Sequence, residues 1–266
     1  MIHKVIELRK EENGFIPTLT TYVLDDPMEN RAKRPAVVIC PGGGYQFCSP
    51  REAEPIAAQF NAAGFHAFVL NYSVAPQFKY PRALEEVSMS VALVRENAEE
   101  WMVDQDKIAV CGFSAGGHLA CSLGVLWNED VIKRADQANR PNAMILAYPV
   151  ITAGEFAHTG SFDNLCQTEE QKKYNSLETH VDGETPPAFI WHTYEDTCVP
   201  VENSLLLAGE MRKKEIPFEL HIYQKGGHGL STAMPDVGIE KNAVGTEISA
   251  NVLGWPALAA SWLKEL

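Results

Sequence analysis

The chain has 266 residues, 45% hydrophobic and 21% charged, which suits one ordinary globular domain with its own core and excludes disordered, collagen-like and coiled-coil classes. Its 35 Asp and Glu against 22 Lys and Arg leave a net charge of −13, which repels phosphate backbones and anionic lipid and argues against nucleic acid and membrane as partners. No apolar run approaches the ~20 residues that cross a bilayer, and the longest are strand-length pieces such as 36–40. The opening residues run into charge through Glu12 without the apolar core of a secretory leader, so a cytoplasmic location is expected. Cys40, Cys48, Cys111, Cys121, Cys166 and Cys198 form no CxxC pair, and the eight histidines do not cluster with them. Six reduced thiols, mostly buried, and no structural metal are the expectation.

Taken in chain order, residues 18–24 alternate in polarity and lead into Asp25-Asp26-Pro27, so a sheet should open with antiparallel strands. Short apolar, β-branched runs follow at 37–40, 65–70, 108–111, 143–148, 188–193 and 218–223. Between them, 53–63, 84–99, 115–126 and 201–214 repeat apolar residues three and four apart, the period of helices packed on a sheet. A last helix is predicted over 256–266, starting at a proline suited to a first helical turn. Strands alternating with helices predict an α/β fold with a mostly parallel central sheet, as a single domain over 1–266. Two polar stretches, 151–187 and 229–254, break the alternation. Stretches of that length inside a domain are often functional, and the first, inserted after the strand ending near Tyr148, is expected to form a small cap or lid.

Gly112-Phe113-Ser114-Ala115-Gly116 fits the pattern G-x-S-x-G and lies between a predicted strand and a predicted helix. A serine presented on so sharp a turn needs neighbours without a Cβ, and the helix start beside it offers free backbone N–H groups to a developing negative charge. Without that context, a Gly-Ser-Gly cluster would read as a plain turn. The loop Pro41-Gly42-Gly43-Gly44-Tyr45 follows the first parallel strand and can bring backbone N–H groups close to a ligand; a phosphate cradle is the competing reading, but no nucleotide-binding motif accompanies the glycines. A nucleophilic serine needs a base and an acid, arriving in the order acid then histidine on later loops. Asp196, with Glu195 beside it, follows one strand, and His228 in Gly226-Gly227-His228-Gly229 follows another. His66, His118, His192 and His221 fall on predicted elements, where packing accounts for them, whereas His3, His158 and His180 read as exposed. Of these, His158 and His180 stand in the expected cap, within possible reach of a substrate.

These motifs, with Leu-Asn-Tyr-Ser-Val-Ala-Pro at 70–76 and His-Thr-Tyr-Glu-Asp-Thr-Cys-Val-Pro at 192–200, make the chain resemble the α/β-hydrolase esterases, near the hormone-sensitive-lipase branch and the acetylxylan-esterase-like bacterial acetyl esterases. The resemblance implies a triad of Ser114, Asp196 and His228, with an oxyanion hole from the backbone N–H groups of Gly43, Gly44 and Ala115. It aligns the triad acid on Asp196, separated by two residues from Val199-Pro200, and leaves Glu195 as a solvated charge. Tyr45 and Gln46 are the expected substrate contacts. Pro41, where the lipase-like branch carries histidine, tilts the expected substrate toward small acyl groups on sugars, an acetylated saccharide among small-molecule esters. No cofactor is implied. An aryl-formamide hydrolase or a prolyl-oligopeptidase-type peptidase would use the same site, although the latter normally carries a large extra domain. A non-catalytic binding module on this fold would be expected to lose a triad member.

Overall fold

The computed structural model, which describes residues 1–10, 14–25, 32–234, 237 and 248–266, gathers the apolar runs into one eight-stranded sheet. Two antiparallel strands open it, β1 (Val5–Glu7) and β2 (Thr18–Tyr22). Inward Leu19 and Thr21 alternate along β2 with half-buried neighbours, as a strand with one covered face requires. The remaining strands are β3 (Arg34–Cys40), β4 (His66–Asn71), β5 (Val103–Phe113), β6 (Ala143–Ala147), β7 (Ala188–Thr193) and β8 (Phe218–Tyr223), in the spatial order β1-β2-β4-β3-β5-β6-β7-β8. From β4 to β8 every neighbouring pair is parallel. This is the α/β fold with a mostly parallel sheet that the alternation predicts.

Period-two alternation sends side chains to two separate cores. Along β3, Val37 and Ile39 enter one cluster and Ala36, Val38 and Cys40 the other. The first cluster is covered by α1 (Glu54–Ala62) and α7 (Trp255–Glu265), through Ile56, Phe60, Trp255 and Leu263. The second lies under α2 (Arg82–Glu96), α3 (Ala115–Leu126) and α6 (Glu202–Lys213). In α2 the buried stripe Leu84, Val87, Val91 and Val94 follows the helical period, whereas all twelve residues of α3 are buried, as befits a helix enclosed on every side.

The 151–187 insertion between β6 and β7 holds two short helices that its polar composition hides, α4 (Thr159–Leu165) and α5 (Glu169–Tyr174), and a 3-10 turn at Leu177–His180. Thr168 caps α5 by accepting the Gln171 N–H at 3.2 Å, a standard first-turn contact. Of the 229–254 stretch, residues 235, 236 and 238–247 lie outside the described residues, as do Glu12 and the Asp26-Pro27 part of the predicted turn. All six thiols are free, four of them buried. Among the described residues no helix is long and apolar enough to cross a membrane.

Parallel strands put their carboxyl ends at one edge of the sheet, where open α/β sheets bind ligands. The loops after β3, β5, β7 and β8 therefore converge, and these loops carry Gly43 and Gly44, Ser114, Asp196 and His228.

Candidate active site

Ser114 stands between the last residue of β5 and the first of α3 with φ +54° and ψ −119°, a conformation that side chains rarely adopt and that marks strained functional turns. Its N–H donates to the Ala147 carbonyl at 3.0 Å, and its own carbonyl accepts from Val150 N–H and His118 N–H at 3.0 Å. The turn closes only because its flanks lack side chains. A Cβ on Gly112 would come within 2.0 Å of the Gly116 carbonyl oxygen, and one on Gly116 within 2.1 Å of the Cys40 carbonyl oxygen. The serine is thus pinned by β6 on one side and by the end of β3 on the other.

His228 Nε2 lies 2.7 Å from Ser114 Oγ, and its Nδ1 lies 2.6 Å from Asp196 Oδ2. A carboxylate only accepts, so Nδ1–H donates to Asp196 and leaves Nε2 as the acceptor facing the serine hydroxyl. The other carboxylate oxygen accepts the N–H groups of Cys198 at 3.0 Å and Val199 at 2.9 Å. A second buried histidine, His192, places Nε2 3.3 Å from Asp196 Oδ2, while its Nδ1 pairs with Ser204 Oγ at 2.8 Å. Burial works against the Asp196 charge, but the hydrogen bonds and fields of His192 and His228 outweigh it and hold the carboxyl well below the usual carboxylate range. Glu195 is exposed, and its carboxylate accepts the Gly226 N–H at 3.2 Å rather than facing His228.

The glycine loop after β3 curls over Ser114. Gly43 and Gly44 take φ +128° and +62°, open to glycine at little cost. Among the described residues, the N–H groups of Gly43, Gly44 and Ala115 have no hydrogen-bond acceptor within the protein. The loop is braced from behind: Tyr72 donates its hydroxyl to the Pro41 carbonyl at 2.7 Å, and Ala75 N–H donates to the Tyr45 carbonyl at 2.8 Å. That bracing explains part of the 70–76 motif.

Tyr45 departs from the expected substrate contact. With φ +58° its side chain turns inward, only 3% exposed, and its hydroxyl meets His118 Nδ1 at 2.8 Å. His118 Nε2–H donates in turn to the Asn175 carbonyl at 2.9 Å, and burial pushes the ring down to a pKa of about 4, so it stays neutral. Tyr45 therefore fastens the glycine loop to α3 and to the insertion instead of lining the site. Gln46 does line it.

The site opens into a pocket of about 440 Å³ that Ser114 and His228 share with Gln46, Phe47, Arg51 and His158. This size suits a small organic ligand. The insertion forms one wall, through His158, Gly160 and Asn164, whose side-chain amide donates to the Gly44 carbonyl at 2.8 Å. His158 is half-buried rather than exposed, its Nδ1 2.8 Å from Ser161 Oγ, and burial followed by the field of His228 lowers its pKa. His180 is half-buried too, against the Tyr174 carbonyl, whereas His3 is exposed. The position of His158 within an irregular insertion carries no periodic signal. Glu52, buried beneath the pocket, has none either, since an Arg-Glu pair reads as surface. Among the described residues no group of three or more His, Cys, Asp or Glu side chains is arranged to hold a metal ion.

Comparison with known proteins places this geometry in a family. The BD-FAE family model matches residues 24–211. The chain is 41% identical over 231 residues to the endo-1,4-beta-xylanase B of Butyrivibrio fibrisolvens, an alignment covering 83% of this chain and 35% of that protein. It is 32% identical over 213 residues to the acetylxylan esterase of Xylanibacter ruminicola, covering 76% of this chain and 42% of that protein. The chain thus spans well under half the length of both. Among solved structures, the acetyl ester-xyloside bifunctional hydrolase of Caldicellulosiruptor lactoaceticus is 35% identical with a TM-score of 0.84, over 98% of this chain and 96% of that one. With a family match running over more than half of its residues and a sheet superposing on such a neighbour along nearly its whole length, the chain belongs to the BD-FAE family and has the α/β-hydrolase fold.

Proposed function

We propose that the chain is a carboxylic ester hydrolase that removes acetyl or similarly short acyl groups from a sugar or oligosaccharide by way of an acyl-enzyme on Ser114. The observation that carries this reading is the unbroken chain from Ser114 Oγ through His228 to Asp196, at 2.7 and 2.6 Å, opening into a pocket beside unspent backbone donors. His228 Nε2 takes the hydroxyl proton as Ser114 Oγ attacks the ester carbonyl, and the oxyanion forms against the N–H groups of Gly43, Gly44 and Ala115. The proton then passes from Nε2 to the leaving alcohol as the carbon–oxygen bond breaks. Water repeats the sequence on the acyl-enzyme, releasing the acid and restoring the serine. Asp196 holds the imidazole with Nδ1–H toward itself and stabilises the imidazolium while it carries the second proton.

The sugar part of the proposal rests on likeness to proteins named as an acetylxylan esterase and an acetyl ester-xyloside hydrolase, and on a pocket wall of polar side chains, Arg51, His158 and Asn164, beside the exposed ring of Phe47. These side chains offer hydrogen-bonding groups to a hydroxyl-rich leaving group. The insertion at 151–187 would then act as the cap that shapes the alcohol side. The test is a hydrolysis panel of acetylated xylo-oligosaccharides, longer-chain esters, feruloyl esters and aryl formamides, with the released acids quantified, run on the wild type and on Ser114→Ala. Acetyl release from the oligosaccharides should exceed the other reactions, and Ser114→Ala should lose ~10⁶ in turnover. A variant keeping a few per cent of wild-type activity refutes the mechanism, and faster formamide cleavage refutes the substrate.

A further inference from the structure

The steps above use neither Glu52 nor Tyr148, yet both lie buried directly beneath the reacting groups. Glu52 is 4% exposed, an unfavourable place for a carboxylate unless its oxygens are satisfied. Both oxygens are occupied. Oε2 accepts the N–H of Gly42 at 2.8 Å, at the root of the glycine loop, and Oε1 accepts the hydroxyl of Tyr148 at 2.6 Å. The Tyr148 oxygen in turn accepts the N–H of Ser231 at 2.8 Å, three residues beyond His228. The Tyr148 ring stands edge-on to the His228 imidazole with centroids 5.0 Å apart. Two side contacts repeat the link: Ser231 donates its hydroxyl to the Arg51 carbonyl, and the Arg51 guanidinium donates to the Gly229 carbonyl.

We propose that Glu52 and Tyr148 are positioning residues that hold the oxyanion loop and the His228 loop in register, so that donors and base address the same carbonyl. The inference rests on the esterase reading of the site. It follows from where the chain places these buried links between the two loops, beside the nucleophile. A Cβ on Gly42 would fall 2.7 Å from Glu52 Oε2 and 3.1 Å from Ser114 Cβ, so the loop root packs closely against both the carboxylate and the serine. Tyr148 follows β6 with φ +37° and donates its own N–H to the Trp191 carbonyl at 2.7 Å. Its phenol is thereby aimed from the end of a sheet strand toward both loops. Burial and the Glu52 charge keep the phenol protonated and donating. The pair would thus transmit the position of the sheet to both halves of the site. Displacements of about an ångström at reacting groups can cost on the order of 100-fold in rate.

The experiment uses the full chain with Tyr148→Phe, Glu52→Gln and the double variant. Tyr148→Phe keeps the ring beside His228 but removes the hydroxyl. Glu52→Gln keeps one acceptor for Gly42 and turns an amide toward Tyr148, whose proton then has no acceptor there. Active sites are counted by complete fluorophosphonate labelling of Ser114, and kcat, KM and the inhibition constant of phenylboronic acid, which forms a tetrahedral adduct on the serine, are measured with nitrophenyl acetate. Each variant should lose about 10- to 100-fold in kcat per labelled serine with KM within about twofold, and boronate affinity should weaken in step with kcat. The double variant should be little worse than the worse single, because both break one link. A merely structural role would lower the melting temperature and leave turnover per labelled serine within twofold of wild type, which overturns the proposal. A raised KM with unchanged kcat in Glu52→Gln overturns it as well, making Glu52 a substrate contact. If one variant fails to fold, the other decides alone. A wild type inert toward every ester would instead refute the esterase reading.

Discussion

Replacing Asp196 by Asn removes one charge and almost no volume, and the surroundings dictate which way the amide turns. Oδ1 accepts two backbone N–H groups, from Cys198 and Val199, at 3.0 and 2.9 Å. The amide oxygen must take that position, because an NH2 there would face two donors. The NH2 then occupies the place of Oδ2, where His228 Nδ1 lies at 2.6 Å and His192 Nε2 at 3.3 Å. To avoid donor against donor, His228 moves its proton to Nε2, which now donates toward Ser114 Oγ and cannot accept from it. The base is lost with the geometry intact. Such a tautomer change costs ~10⁴ in kcat, or about 5.5 kcal/mol at 1.36 kcal/mol per decade. Glu195→Gln is the control: the side chain is exposed and a Gln oxygen can still accept the Gly226 N–H, so kcat should stay within about threefold of wild type. Both variants would be assayed for kcat per labelled serine and for melting temperature. A severe loss in Glu195→Gln alongside a near-normal Asp196→Asn would refute the argument and exchange the roles of the two acids.

Three further outcomes follow from the same structure. Nitrophenyl acetate should be hydrolysed with a higher kcat/KM than the octanoate, as the proposed short-acyl preference requires, since each methylene a site leaves unburied forfeits about 0.8 kcal/mol; the reverse order refutes this. Dialysis against EDTA should leave the rate unchanged, since in the proposed mechanism His228 rather than a metal-bound water supplies the base, and loss of activity restored by zinc would contradict that mechanism. Glu86, buried on α2 with Ser73 N–H and hydroxyl as donors, has its carboxyl pushed up to about 7, chiefly by burial. A raised folded-state pKa contributes stability below the ordinary carboxylate range and loses it as pH rises through about 7. Glu86→Gln should therefore gain on the wild type by about 3 kcal/mol between pH 5 and pH 8, read from urea midpoints, and parallel pH profiles for the two proteins would refute it.

What could be read from the sequence divides along a physical line. Elements that bury a face announce themselves by period, so β7, β8 and α3 fall where the apolar pattern puts them. β5 runs longer than predicted, because Asp104, Gln105 and Asp106 carry no apolar signal and extend the strand to a Val103–Arg34 pairing beyond an irregularity in the ladder. α4 and α5, of seven and six residues, are too short for a period to show. Within the site, Ser114, Asp196 and His228 were legible because each must follow a strand in a fixed order, and they stand within hydrogen-bonding distance of one another. Tyr45 was misread because the loop that carries it enters a positive-φ turn that reverses the side chain toward His118. Adjacency to a glycine motif does not specify which way the next side chain points.

The same distinction explains why the proposed support of the site was hidden although its candidate reacting groups were not. A nucleophile, a base and an acid are constrained by chemistry that any sequence must satisfy, so their residue types and order are few. The residues proposed to position them, Glu52 and Tyr148, are constrained only by what happens to pack beside them. Glu52 meets Tyr148 from 96 positions away, and neither residue type is demanded at its position by any local turn or period. Their roles follow from the register of β3 against β5 and of β6 against β7, which brings the ends of those strands level. A substitution that preserves every proposed reacting group but shifts that register should therefore damage turnover more than it damages substrate binding, because the insertion supplies one wall of the pocket independently of the register, while the alignment of base and oxyanion donors comes from the sheet.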